Sequence, residues 1–136
     1  MKEVFADTSY WIALLIPKDD HSAKAVELTK GLGLFKLITS EIVLAEYLNF
    51  ITAKANFLRT AAAESVEALS KRAHVEIIPL TRDLFQNALA LYKQRQDKAY
   101  SFTDCASFSI MEDRKISDAL TTDKHFMQEG FKALLR

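Results

Sequence analysis

Apolar and polar positions follow two rhythms along the chain. Short apolar runs bounded by polar punctuation suit strands buried on both faces. Val4-Phe5-Ala6, Leu34-Phe35-Lys36-Leu37-Ile38, Val75-Glu76-Ile77-Ile78 and Ala119-Leu120-Thr121-Thr122 have this form. Phe131-Lys132-Ala133-Leu134-Leu135 suits a short edge strand. Between these runs the apolar residues recur at helical spacing, about every 3.6 positions. After the first strand, Thr8 or Ser9 is placed to cap a helix beginning at Tyr10-Trp11-Ile12. Pro17-Lys18-Asp19-Asp20 breaks it, and Asp19 or Asp20 then caps a helix through Ala23, Val26 and Leu28 that Gly31 and Gly33 end. Thr39-Ser40 opens a long helix with one stripe of Leu44, Tyr47, Leu48, Ile51, Ala55 and Leu58. A further helix runs from about Ala61 to Arg72. Thr81 caps a helix carrying Leu84, Phe85, Ala88, Leu91 and Tyr92, and Ser101-Phe102-Thr103-Asp104 opens another. Helices between successive strands argue for a parallel sheet covered on both faces.

Composition narrows the class. A chain of 136 residues, 49% hydrophobic and with three glycines and two prolines, is one compact helix-rich domain spanning 1–136. A single cysteine, Cys105, excludes an internal disulfide and fits a reducing cytoplasm. No apolar run reaches the roughly 18 residues of a membrane helix, and Met1-Lys2-Glu3 before a short strand is not a signal peptide. Eighteen basic and eighteen acidic residues balance to zero net charge. That weighs against a passive nucleic-acid binder, whose footprint is a basic domain. It leaves room for an enzyme that meets nucleic acid through local basic patches and bound cations.

Four acids share a placement. Asp7 and Asp123 follow strands, while Glu46 and Asp104 lie in early turns of helices. In a parallel sheet all four positions face the C-terminal edge, where open α/β sheets bind ligands. Each acid also has a plain reading. Asp7 and Asp123 are placed as N-caps, Asp104 as the acid of a capping box with Ser101, and Glu46 as a solvated charge on a helix margin. Glu41 competes with Glu46, but stands in the first helical turn, where an acid suits the helix dipole. Four carboxylates converging with no basic group nearby repel. A hard divalent cation with oxygen ligands, Mg²⁺ or Mn²⁺, is the physical remedy.

Other chemistries find less support. His21, His74 and His125 show no zinc spacing, and there is no His-Glu-x-x-His. There is no phosphate-cradling glycine loop. Ser9 lacks a nucleophile elbow, and Cys105 reads as a small buried residue.

Val4-Phe5-Ala6-Asp7-Thr8-Ser9, Thr39-Ser40-Glu41-Ile42-Val43-Leu44-Ala45-Glu46-Tyr47-Leu48, Ser101-Phe102-Thr103-Asp104-Cys105-Ala106 and Leu120-Thr121-Thr122-Asp123-Lys124-His125-Phe126 stand in this order and spacing. In them the chain resembles the PIN-domain family, especially its small single-domain members of the VapC toxin type. The resemblance runs nearly end to end; Cys105 stands where alanine is common. It implies a three-layer α/β/α fold with a five-stranded parallel sheet of order 3-2-1-4-5. It also implies Mg²⁺- or Mn²⁺-dependent RNA cleavage, with Asp7, Glu46, Asp104 and Asp123 as the catalytic, metal-holding cluster. Thr8, Ser9 or Thr121 would add hydroxyl contacts around it. Lys54, Arg59, Lys93, Arg95 and Lys98 are the candidates for phosphate contact. A homodimer and a cognate antitoxin protein are the implied partners, in a cytoplasmic protein. Trp11, Phe50, Phe57 and Tyr92 also point to a dimer, as aromatic surface that a small core does not cover. The alternative function is a catalytically silent RNA-binding or interaction module on the same fold, which has no need of all four acids.

Overall fold

Val4, Phe5 and Ala6 are buried in β1 (Lys2–Ala6), and the position of this strand explains their lack of polarity. It is the middle strand, paired in parallel with β2 (Phe35–Ser40) on one side and β4 (Asp118–Leu120) on the other. β3 (Val75–Ile78) adds outside β2, and β5 (Lys132–Ala133) outside β4. The computed structural model describes residues 1–136, and its sheet is parallel throughout with order β3-β2-β1-β4-β5. Phe5 faces Ile38 across one edge of β1 and Ala119 across the other.

α1 (Thr8–Leu15) and α2 (Ser22–Thr29) connect β1 to β2. α3 (Glu41–Lys54) and α4 (Arg59–Leu69) connect β2 to β3. These crossovers advance one way across the sheet. The return through α5 (Arg82–Gln94), α6 (Phe102–Arg114) and α7 (Lys124–Gln128) goes the other way. Right-handed crossovers therefore put α1 to α4 on one face and α5 to α7 on the other, the three layers of an α/β/α sandwich. Tyr10, Val43, Tyr47 and Ile51 fill the core beneath the first set. Phe108, Met111 and Phe126 fill it beneath the second, with Phe108 and Phe126 edge to face at 4.9 Å.

Several local expectations need correction. The stripe from Leu44 to Leu58 is two elements, because Ala55 leaves helical geometry at φ −153° and ψ 52°. A 3₁₀ turn over Asn56–Leu58 follows, and α4 folds back so that the Ser65 hydroxyl lies 3.1 Å from that of Tyr47. α1 begins at Thr8, with Asp7 and not Thr8 or Ser9 at the N-cap position. In α2 it is Ala25 that is buried, while Val26 faces solvent. Asp19 does not cap α2 but accepts the His21 amide in the turn before it. Trp11 is no surface aromatic: it is 7% exposed, its indole N–H donates to Thr39 Oγ1 at 3.2 Å, and its ring meets Tyr10 edge to face.

Charges at the N-terminal edge are paired. Arg114, at the end of α6, donates to both oxygens of Glu3 and to both of Glu76, and Lys36 adds a bond to Glu76 at 2.6 Å. The Arg114 and Lys36 hydrogen bonds hold the Glu76 carboxyl down at about 2.

Candidate active site

The opposite edge is built differently. Seven polar or charged side chains are buried, and six of them (Asp7, Thr8, Thr39, Ser40, Asp104 and Thr121) stand at the ends of strands or in the first turns of helices. Ser107 lies one turn further along α6.

Asp7 follows β1, with its amide donating to the Leu120 carbonyl at 3.1 Å. Its carboxylate makes no capping hydrogen bond to α1. Instead Oδ2 accepts the Thr121 hydroxyl at 2.8 Å. The side chain is almost closed off, at 5% exposure for the residue. Burial pushes its carboxyl from 3.8 up to about 7, and the negative charges of Asp104 and Glu46 add to the rise. The Thr121 hydroxyl and the Thr8 amide pull the other way without cancelling it.

Glu46, in the second turn of α3, is half-buried and accepts the Thr8 hydroxyl at 2.6 Å. Glu41, its competitor in sequence, is exposed and accepts the Leu80 amide at 2.8 Å, tying α3 to the loop after β3.

Asp104 forms the capping box of α6. Its Oδ2 accepts the Ser101 amide at 3.1 Å, while its own amide donates to Ser101 Oγ at 3.0 Å. The same Oδ2 lies 3.1 Å from His125 Nδ1. Burial raises the Asp104 carboxyl above its ordinary value; the Asp123 charge adds to this, and the Ser101 amide and His125 oppose it. Asp123 is the N-cap of α7, accepting the His125 amide on Oδ1 at 2.9 Å. Asp104, Asp123 and His125 each offer a ligand atom within 4.8 Å of the others.

Thr121 joins the two halves. Its hydroxyl donates to Asp7 and accepts the Asp123 amide at 3.0 Å. Ser9 supports the turn, its hydroxyl accepting the Thr122 amide at 3.1 Å. Capping and clustering are thus not alternatives for Asp104 and Asp123, because one carboxylate does both. His125 corrects the expectation of a cluster with no basic group nearby. Zinc spacing was the wrong signal for it; the useful one is its position two residues after an N-cap aspartate.

The candidate phosphate-binding residues separate. Arg95 is committed to the fold through a two-pronged pair with Glu129 at 3.1 and 2.9 Å, where the Tyr100 hydroxyl also donates. Lys98 lies 3.7 Å from Asp97. Arg59 donates to Asn56, and Lys54 and Lys93 are exposed without an ion pair.

The donor set is carboxylate and hydroxyl oxygen with one imidazole, and a buried acid at its centre is short of positive charge. That fits a hard divalent cation of the Mg²⁺ or Mn²⁺ kind and lacks the thiolates of a softer site.

Known proteins share this arrangement of elements. The 23S rRNA-specific endonuclease VapC20 of Mycobacterium tuberculosis, strains CDC 1551 / Oshkosh and ATCC 25618 / H37Rv, is 30% identical over 128 residues, covering 94% of this chain and 95% of the relative. The crystal structure of Mycobacterium tuberculosis VapC20, described as a Sarcin-Ricin loop cleaving toxin, matches with a TM-score of 0.82 at 27% identity, covering 94% of this chain and 95% of that one. The family model described as PIN domain matches residues 4–131, which takes in β2, β3, β4, all but the first two residues of β1, and all four acids, and stops just before β5. The chain belongs to the PIN-domain family.

Proposed function

We propose that this protein is a Mg²⁺- or Mn²⁺-dependent endoribonuclease that hydrolyses RNA phosphodiester bonds, acting in the cytoplasm as the toxin of a toxin–antitoxin pair. One observation carries the catalytic reading. Donors of the chain hold all four acids, and those on Glu46, Asp104 and Asp123 each use a single carboxylate oxygen, which leaves the second oxygen of these three for a cation. The RNA substrate is supported by the relative, a 23S rRNA-specific endonuclease.

The four acids would hold one or two ions. When bound, a divalent ion polarises a scissile phosphate and makes water more acidic. The chain's own work is orientation. Thr8 fixes Glu46, Thr121 fixes Asp7 and spaces it from Asp123, and the Ser101 amide fixes Asp104. The carboxylates then act as ligands and not as acid–base groups. Lys54, Arg59, Lys93 and Lys98 would meet backbone phosphates, contacts that set position more than sequence. Arg95 is left out because Glu129 occupies it.

The partners are RNA, an antitoxin protein that blocks the site, and a second copy of the chain. Phe57 at 87% and Tyr92 at 51% exposure support the dimer, and Trp11 no longer does. Incubation with total RNA, 23S rRNA included, in Mg²⁺ or Mn²⁺ and in EDTA tests the activity. Metal-dependent cleavage that disappears in Asp7→Asn is the expected result. RNA held without cleavage would overturn it in favour of a silent binding module.

A further inference from the structure

His125 is given no role in the proposed function, yet it touches two of the four acids. Its main-chain amide donates to Asp123 Oδ1 at 2.9 Å. Its side-chain Nδ1 lies 3.1 Å from Asp104 Oδ2 and 3.4 Å from Asp123 Oδ1. The ring is itself confined: its side chain is 19% exposed, and Tyr100 meets it edge to face at 5.3 Å. Tyr100 in turn donates to Glu129, just beyond the end of α7. The imidazole therefore has a fixed place between the start of α6 and the start of α7.

We propose that His125 is a positioning residue, with the proton on Nδ1, that ties Asp104 to Asp123 and sets the outward oxygens of both for the cation. The argument is one of donors and acceptors. Asp104 Oδ2 already accepts the Ser101 amide, and the ring adds a second donor to the same oxygen. With that oxygen held twice, the carboxylate turns its other oxygen outward. The amide of His125 does the same for Asp123. One residue thus orients two ligands contributed by different elements. Groups that orient metal ligands typically contribute about 10–100-fold to metal affinity.

The inference rests on the carboxylate site proposed above, and its test separates the two. Mn²⁺ binding is measured by calorimetry on the full chain without RNA, for the parent, His125→Ala, His125→Asn and Asp104→Asn, each checked for folding by near-ultraviolet circular dichroism. His125→Ala should weaken Mn²⁺ binding about 10–100-fold. His125→Asn carries an amide N–H where Nδ1 stood and should recover most of the loss. Pulsed electron paramagnetic resonance of the parent's Mn²⁺ should show no directly bound nitrogen. Parent-like binding in His125→Ala, with binding lost in Asp104→Asn, overturns the role of His125 alone. So does a failure of His125→Asn to recover, or a directly bound nitrogen, which would make the ring a ligand. Parent-like binding in Asp104→Asn overturns the carboxylate site and the positioning role together.

Discussion

Asp7→Asn removes one charge from the centre of the site at nearly constant shape. Its effect on the metal-free protein follows from the burial of that carboxylate. Folding raises the Asp7 carboxyl from 3.8 to about 7. The native state then binds the proton more tightly than the unfolded chain does, so this group's contribution to stability falls as pH rises through that interval and is level above it. At about 1.36 kcal/mol for each tenfold change in proton affinity, the whole interval is worth about 4 kcal/mol. Solvent screening takes little from this, because the residue is 5% exposed. Loss of the Thr121 hydrogen bond offsets little either, since the amide oxygen of asparagine still accepts it. Urea unfolding of parent and variant in EDTA, from pH 4 to pH 8, reads the difference directly, and the other titrating groups cancel. The variant should gain on the parent by about 3–4 kcal/mol across that range and be the more stable at pH 8. Mn²⁺ at a hundred times its dissociation constant should return about 2.7 kcal/mol to the parent and much less to the variant. A parent and variant with the same pH slope would refute the argument, because an Asp7 carboxylate that ionises freely in the fold is not desolvated.

Three further outcomes follow from other contacts. Thr8→Val deletes the 2.6 Å hydrogen bond to Glu46; Mn²⁺ affinity by calorimetry should fall about 10–100-fold, while stability in EDTA changes by about 1 kcal/mol. Arg114→Met frees Glu3 and leaves Glu76 with Lys36 alone; Arg114 is the largest cause holding both below their ordinary value of 4.5. In the parent their contribution is present above 4.5 and lost as pH falls below it, for Glu76 towards about 2, so acid unfolding monitored by circular dichroism should be shallower in the variant. Lys115 closes α6 in the left-handed region at φ 57°, so Lys115→Gly should raise stability in urea by about 0.5–1 kcal/mol.

The central strands were legible because burial on both faces removes polarity from Val4-Phe5-Ala6 and Ala119-Leu120. The four acids were legible by position, since the ends of parallel strands and the starts of the helices after them share one edge. What failed depended on distant partners. The helical period runs through Ala55 without a mark, and only the backbone turn there divides α3 from α4. Trp11 reads as surplus aromatic surface until Thr39, on β2, is seen to accept its N–H. His125 and Asp104 meet only when α6 and α7 are brought together, so no spacing in the chain announces the pair. Arg95 reads as free cationic charge until Glu129 folds against it.

Asp104 and Asp123 begin helices with the same side chains that face the site, and this has an evolutionary consequence. The hydrogen bonds they accept from main-chain amides are ones an asparagine oxygen accepts as well. A single Asp-to-Asn exchange at either place would take one charge from the cluster and still start the helix. On the function proposed above, descendants lacking the activity would inherit an intact scaffold. On that same proposal, retention of all four acids in a lineage would be a record of continued use.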